Sequence, residues 1–313
     1  MLALYLVTGG AGFIGSHLVE ELVRRGESVR VLDDLSTGQK ENLSSIWDKV
    51  DFQKVDIRDL AALGPPFERV DYVLHLAAVP SVMRSIEDPV TTTQINLVGT
   101  LNVLLAAREA RVQRVIMAAT AAAYGDNPVL PRVETQKPEP LSPYAVTKLA
   151  GEYYGLIFHR FFGVEFVALR YFNIFGPRQD PESPYSGVLS RFIKAYMCRQ
   201  QPTIFGDGEQ SRDFTYVADV VDATLRACQA REAPGKVINV GTGRSFTLNQ
   251  TISILNQIVG VEVTPHYDPP RGGDILHSTA DITLARAVLG YQPLVSFEEG
   301  LRRTVAWMRT AAD

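Results

Sequence analysis

Cysteine is almost absent. Cys198 and Cys228 are the only two. They are too few for a disulfide framework and lack the spacing of a metal site, so no metal is expected, and a reducing compartment with both thiols buried is the default setting. Long apolar runs are lacking as well: no stretch approaches about 18 uninterrupted apolar residues, so no transmembrane helix is expected. The apolar opening Met1 to Val7 has no basic n-region and runs straight into Gly9 and Gly10, so it reads as a first strand rather than a signal peptide. The expected location is the cytoplasm, with no membrane partner. Neither sign of charge dominates. Lys and Arg number 31 against 35 Asp and Glu, for a formal net charge of −4, and there is no basic arm to attract nucleic acid. Internal repeats and low-complexity tracts are missing too.

What remains is an ordinary globular composition, 46% hydrophobic and 21% charged over 313 residues. That length buries a substantial core in one large domain or two closely packed ones. The first half alternates β-rich runs with helix-period segments. Strands are expected at Leu4 to Val7, Val29 to Leu32, Asp51 to Val55, Tyr72 to Leu76, Val115 to Ala118 and Phe166 to Arg170. A helix carrying Ile14, Leu18, Val19, Leu22 and Val23 stops at Gly26, and further helices span Asn96 to Ala110 and Pro143 to Phe162. Strands separated by helices imply right-handed crossovers and an α/β fold with a doubly wound parallel (Rossmann) sheet. After Asn173 the texture turns to loops rich in Gly and Pro. Short strands at Val237 to Val240 and Val261 to His266 flank a helix from Thr247, and a last helix runs from Phe297 to Met308. The expected division is a dinucleotide domain over 1–173 and a smaller α/β substrate lobe over 174–313, with a strand or two returning to the main sheet.

Gly9, Gly12 and Gly15 have G-x-x-G-x-x-G spacing between a predicted strand and a predicted helix. Glycine there permits a tight turn, lets the backbone approach a pyrophosphate and allows helix against strand, while the helix N-terminus offers unpaired N–H groups to the phosphates. Asp33 closes the second strand, where a carboxylate accepts hydrogen bonds from the adenosine ribose and repels a 2′-phosphate. With Asp34 beside it and no Arg immediately following, the expected cofactor is NAD; the alternative for Asp33 is a turn or cap aspartate. Asp56 and Ile57 after the third strand, and Leu76, Ala77 and Ala78 after the fourth, either border the cofactor or are plain packing.

Tyr144 and Lys148 are one turn apart on a helix face. An ammonium beside a phenol favours the phenolate and makes Tyr144 a usable base. Pro143 suits the first helical turn and Ser142 its N-cap.

With Gly9-Gly10-Ala11-Gly12-Phe13-Ile14-Gly15, Asp33-Asp34, Tyr144-x-x-x-Lys148, Arg170-Tyr171-Phe172-Asn173 and Arg212-Asp213-Phe214 in hand, nearly the whole chain resembles the extended short-chain dehydrogenase/reductases. It is most similar to NAD-dependent nucleotide-sugar epimerases, in particular UDP-N-acetylglucosamine/UDP-glucose 4-epimerases. The resemblance implies that Thr120, four residues before Tyr124-Gly125, joins Tyr144 and Lys148 as a catalytic residue bonded to the reacting sugar oxygen. It adds Phe13, Ile14, Ser36, Gly38, Asn96 and Phe172 to the cofactor site. Relatives often carry further Ser or Thr after the Thr120 position, whereas this chain has Ala121, Ala122 and Ala123, which removes polar contacts to the sugar. The same alanines replace the Asp-Glu pair of similar 4,6-dehydratases and the Glu of family decarboxylases, which disfavours both reactions.

For the substrate, the resemblance assigns the diphosphate and its neighbours to Asn173, Arg212 and Arg271. It assigns the base to Thr203 and Phe205, the ribose to Asp274, and the sugar pocket to Ser81, Gly187, Val188 and Ser278. Ser278 stands at a gate that is bulky in hexose-only epimerases, so its small side chain leaves volume for a 2-acetamido group. The implied reaction is reversible oxidation at C4 of a UDP-sugar, UDP-GlcNAc/UDP-GalNAc or UDP-Glc/UDP-Gal, with NAD resident. The rivals are a 4-ketoreductase, an epimerase of another sugar such as UDP-glucuronate, and a silent NAD- or sugar-sensing protein. Helices Asn96 to Ala110 and Pro143 to Phe162 carry apolar residues on more than one face, among them Leu97, Leu101, Leu104, Tyr153, Tyr154 and Ile157. Such helices are doubly packed or form a two-fold interface, and the resemblance implies a homodimer through a four-helix bundle.

Overall fold

The computed structural model describes residues 3–180, 187–270 and 275–312. Strands β1 (Leu4–Thr8), β2 (Ser28–Leu32), β3 (Asp51–Gln53), β4 (Tyr72–His75), β5 (Arg114–Thr120), β6 (Glu165–Tyr171) and β7 (Lys236–Val240) lie side by side. Their order is β7-β6-β5-β4-β1-β2-β3, and every neighbouring pair is parallel. The order reverses between β1 and β4, which opens a crevice at the carboxyl ends of those strands.

Successive side chains of a strand point to opposite faces, and both faces here are covered. Tyr5 and Val7 of β1 join one core, with Leu18, Val19 and Leu22 of α1 (Phe13–Arg24). Leu6 joins the other, with Leu63 and Phe67 of α2 (Leu60–Phe67), Val103 and Leu104 of α3 (Gly99–Glu109), and Phe158 of α4 (Pro143–Phe162). A third core unites α5 (Val188–Met197), α7 (Leu248–Val259) and α9 (Phe297–Ala312) through Phe192, Leu255 and Leu301. Phe214 stacks on Phe297 there at 5.0 Å.

The later half of the chain is divided between these cores. β7 extends the main sheet beside β6. Helices α6 (Val217–Gln229) and α8 (Thr283–Leu289) cover its first face alongside α1. Two expected strands are corrected. β3 ends at Gln53 rather than Val55, because its partner β2 ends at Leu32 and offers nothing further to pair with. Residues 261–265 are not a strand: the N–H groups of Val261 and Val263 bond to Asn256 at the end of α7, so they finish the helix, and only His266–Asp268 pairs, with Thr203–Phe205.

Other surfaces differ from expectation. Cys198 is exposed and only Cys228 is buried, because Cys198 is the C-cap of α5, beyond the face that buries Phe192 and Tyr196. Leu104 faces the core, while Tyr153, Tyr154 and Ile157 of α4 are exposed. The segments Pro89–Thr93, Gln94–Val98 and α3 run on as one helical rod, Pro89–Glu109. At 21 residues it is long and apolar enough to cross a membrane by length and composition, because no uninterrupted apolar run is needed for that. Half of its most apolar stretch is buried inside the fold, and it packs on α2 and α4 as a core helix does.

Candidate active site

The turn from β1 into α1 is built so that only glycine fits its two closest approaches. Gly9 is left-handed (φ +70), and a Cβ there would stand 2.8 Å from the Ala77 nitrogen; one on Gly15 would overlap the Gly9 carbonyl oxygen. Gly12 is the N-cap of α1, with no side-chain cap and no acidic residue in the first turn. The first N–H groups of α1 and the positive end of its dipole therefore face the crevice. Phe13 and Ile14 lie half-buried in that first turn.

Asp33 is buried beside this turn. Its Oδ2 accepts from the Ala11 N–H (3.0 Å) and its Oδ1 from the Leu35 N–H (2.8 Å), and Gly38 lies so close that a Cβ would meet the carboxylate at 2.7 Å. Each oxygen keeps a second lone pair, and burial pushes the carboxyl above its usual range. Asp34 instead turns the chain, accepting from the Ser36 N–H (2.9 Å) and hydroxyl (2.6 Å). Asp56 is paired with Arg58, which holds its carboxyl below the usual range. Asn102 fixes this loop by donating to the Ile57 and Arg58 carbonyls at 3.0 and 2.9 Å. Leu76, Ala77 and Ala78 are half-buried where β4 ends. Asn96 lies behind them, buried: it accepts from the Val79 N–H (2.7 Å), donates to the Val79 carbonyl (3.1 Å), and so shapes the loop. Phe172 is fully buried beside Tyr124, ring centroids 6.2 Å apart. Unpaired helix N–H groups, backbone left bare by glycine and a carboxylate ending β2 fit a dinucleotide such as NAD, with its pyrophosphate on α1 and its ribose at Asp33.

Across the crevice, β5 ends at Thr120 and α4 begins. Ser142 caps α4 by accepting from the Ala145 N–H at 3.2 Å, and Pro143 follows at the first position. That start sets Tyr144 beside Thr120, whose hydroxyl acts to lower the phenol pKa. One turn on, Lys148 is buried and its Nζ donates to the Ala118 carbonyl at 2.9 Å. The expected effect of Lys148 on Tyr144 is corrected here. Burial pushes the Tyr144 phenol up, with Thr120 pulling the other way, and Lys148 itself is pushed down to about 8 by burial. The ammonium spends its bond on a β5 carbonyl, so the chain alone keeps the phenol protonated.

Most of the described residues assigned to the substrate stand on short strands and helix starts outside the main sheet. Asn173 (φ +33) donates to the Asp213 carbonyl at 3.2 Å. Arg212 sits on the two-residue strand Ser211–Arg212, its Nη1 donating to the Ser211 and Leu276 carbonyls at 3.0 and 3.2 Å. Its register partner on the neighbouring strand is Ser278, so these two are adjacent. Thr203 and Phe205 belong to a separate two-stranded pair, and the Phe205 carbonyl already accepts from Gln210 at 2.6 Å. Ser81 is the N-cap of the short helix Val82–Glu87, accepting from the Arg84 N–H at 3.1 Å. Gly187 is the N-cap of α5 and Val188 its first residue, and a Cβ on Gly187 would meet Gln179 Nε2 at an ordinary 3.6 Å. Arg271 and Asp274 lie outside the described residues. Among the described residues no group of three or more His, Cys, Asp or Glu side chains is placed to hold a metal ion.

Three supporting groups go beyond the sequence reading. Asp213, fully buried, accepts from Thr242 N–H and hydroxyl (2.8 and 2.7 Å), Gly243 N–H (3.0 Å) and Ala280 N–H (3.1 Å), which ties the Arg212 strand to the end of the Ser278 strand. His75, fully buried, has Nδ1 2.8 Å from the Thr8 hydroxyl and Nε2 2.8 Å from the Thr100 hydroxyl. Because Thr100 donates onward to the Asn96 carbonyl (2.6 Å), it accepts from Nε2–H, and Thr8 donates to Nδ1. The third is an ion pair, Glu152 to Arg170, under α4. Arg170 and Asp213 fall within motifs quoted above, and Glu152 extends the four-residue spacing of Tyr144 and Lys148.

The same architecture occurs in known proteins. A profile of the NAD dependent epimerase/dehydratase family matches residues 5–241. The UDP-glucose 4-epimerase of Mycolicibacterium smegmatis is 41% identical over 312 residues, 98% of this chain and 99% of the relative. The crystal structure of UDP-glucose 4-epimerase from Thermotoga maritima with UDP-glucose superposes with a TM-score of 0.95 at 41% identity, covering 99% of this chain and 100% of that one. The UDP-N-acetylglucosamine 4-epimerase of Methanobrevibacter ruminantium, in complex with UDP-N-acetylmuramic acid, gives 0.95 at 39% identity with the same coverage.

Proposed function

This chain belongs to the NAD dependent epimerase/dehydratase family, and on that premise we propose that it interconverts the C4 epimers of a UDP-sugar by transient oxidation at C4. The observation that carries the reading is the convergence of Thr120, Tyr144 and Lys148 at the carboxyl edge of the same sheet that presents the glycine turn and Asp33. Tyr144, as the phenolate that the positive charges of Lys148 and of bound NAD would together favour, accepts the proton of the 4-hydroxyl as C4 is oxidised and returns it when C4 is reduced, while Thr120 holds the reacting oxygen. Bound at the glycine turn, NAD supplies a reversible hydride acceptor and a positive charge. Inversion requires the keto sugar to turn between the two halves of the reaction. The grip is divided accordingly: Asn173, Arg212 and Arg271 hold the diphosphate, for which a guanidinium fork is suited, and the small residues Ser81, Ala121, Ala122, Gly187 and Ser278 leave the sugar room.

Residues 1–173 then serve the cofactor and 174–313 the nucleotide sugar, with β7 and α6 lent to the main sheet. A small residue at 278 supports N-acetylated sugars as substrates. Ser278→Tyr is expected to cut kcat/KM for UDP-GlcNAc about 10- to 100-fold while sparing UDP-glucose, and equal loss on both removes the gate. A two-fold dimer is supported by apolar residues left exposed on adjoining helices, Val90, Val98, Tyr153, Ile157 and Phe161. Light scattering is expected to give twice the mass of one chain; a monomer sinks this point. Two cysteines with no bridge between them agree with a cytoplasmic setting.

The test is incubation of purified protein with UDP-GlcNAc, UDP-glucose and UDP-glucuronate, without added cofactor, and resolution of products by NMR. A mixture of C4 epimers from at least one is expected. No epimer from any of them defeats the proposal, and turnover only with added NADPH moves the chain to the ketoreductases.

A further inference from the structure

The buried ion pair beneath Lys148 takes no part in the chemistry above. Glu152 lies one turn beyond Lys148 on α4, on the same face. Its carboxylate receives Nε and Nη2 of Arg170 at 3.0 and 2.7 Å, and both residues are almost completely buried. Arg170 stands in register between Ala119 of β5 and Asn239 of β7. Its guanidinium lies over the Tyr124 ring at 4.6 Å, and the Tyr124 hydroxyl donates to Asn239 Oδ1 at 2.6 Å. Ala119 separates Ala118, whose carbonyl receives Lys148 Nζ, from Thr120, which acts on the Tyr144 phenol. One short stretch of β5 is thus the common footing of the pair, the lysine and the phenol.

A buried ion pair is weak evidence for stability, since apolar side chains of like volume often serve as well or better. What it provides is a fixed charge at a fixed place. We propose that Glu152, clamped by Arg170, is a positioning residue that keeps Lys148 in its ammonium form and seated beneath Tyr144.

The surroundings of Lys148 support this. On its own helix Tyr144 stands one turn before it and Glu152 one turn after. β4 contributes His75, which burial pushes down to about 3 and so keeps neutral. From β5 comes the Ala118 carbonyl, which is uncharged, and Arg170 of β6 stands behind Glu152 as its partner. Glu134, half-buried, accepts from the Asn239 N–H at 2.8 Å and faces Arg170 rather than the lysine. Glu152 is therefore the anion that opposes the desolvation of Lys148, which burial has already pushed down to about 8. Without it the lysine loses its proton at lower pH. Without Arg170 as well, the uncompensated cation goes too, and the change is smaller.

The inference rests on the reading of Tyr144 and Lys148 as the acid/base pair. Its test follows the alkaline limb of kcat/KM against pH in Glu152→Gln and in the double variant Glu152→Gln/Arg170→Gln, together with the titration of Lys148 in protein carrying [ε-13C]lysine, assigned by Lys148→Met. In E152Q both are expected to move to lower pH by about one unit or more. In the double variant, which removes the Arg170 charge that E152Q alone leaves unpaired, both move the same way by less. A Lys148 titration that stays in place in the folded variants, or a loss of activity uniform across pH, overturns the proposal. A shifted Lys148 in a protein that epimerises nothing overturns the functional reading instead.

Discussion

Tyr144→Phe is expected to lower kcat about 10³-fold, within the range that a positioned general acid/base contributes. The change deletes one oxygen from the first turn of α4 and leaves the ring, so packing and the Ser142 cap persist. KM is expected to change little, because the groups assigned to the nucleotide and diphosphate stand on other segments, at Asn173, Thr203 and Arg212. Cofactor retained through purification is expected to match the parent protein. Steady-state kinetics beside a cofactor assay separate these readouts. Activity within tenfold of the parent takes the role of base away from Tyr144. The size of the effect follows from the site itself: Lys148 is bonded to the Ala118 carbonyl and the Thr120 hydroxyl is a poor base, so no neighbour substitutes for the phenol.

Gly15→Ala is the second large effect. The added Cβ overlaps a backbone carbonyl, Gly9 O, which belongs to the turn and cannot swing aside as a side chain does. The turn or α1 must shift, at a cost on the order of 3 kcal/mol of stability. The first N–H groups of α1 leave their places with it, and NAD affinity is expected to fall about 100-fold or more, losing donors that act together. Urea unfolding and the NAD content of purified protein measure the two parts. Gly26→Ala is the comparison: Gly26 is left-handed (φ +81) but has open space around it. It is expected to cost about 1 kcal/mol in backbone strain and keep its cofactor. Equal cofactor loss in both variants makes the effect one of general destabilisation and not of the glycine turn.

The sheet was legible because its strands are short apolar runs spaced by helices, and a parallel strand buried on both faces has no other pattern to show. The glycine turn and Tyr144 with Lys148 were legible because the constraint acts within a few residues, as helix start, cap and one-turn spacing. The later half was not. Helices α5 and α6 carry clear apolar faces, yet they begin without a side-chain cap in a part of the sequence rich in Gly and Pro, so that texture dominated. Helix α2 contains Gly64, Pro65 and Pro66 and forms because Asp59 caps its start and Leu63 and Phe67 are buried, tertiary packing overriding propensity. In 261–265 β-branched residues suggested a strand, but Asn256 claims their N–H groups. Within the site, the meeting of Arg212 with Ser278 depends on strand register, and Glu152 with Arg170 on how α4 crosses β6. Neither distance is written in local spacing. The raised Tyr144 phenol is likewise a product of burial, visible only once the fold encloses it.

The central claim is that C4 is oxidised and reduced within one site, with nothing exchanged but a proton through Tyr144. The most direct measurement uses UDP-GlcNAc, or whichever sugar turns over, carrying deuterium at C4, incubated in ordinary water without added cofactor. The C4 epimer is predicted to form with its deuterium still at C4, and the unlabelled sugar run in D₂O is predicted to gain none there. Washout of the label, or deuterium entering C4 from solvent, contradicts the account.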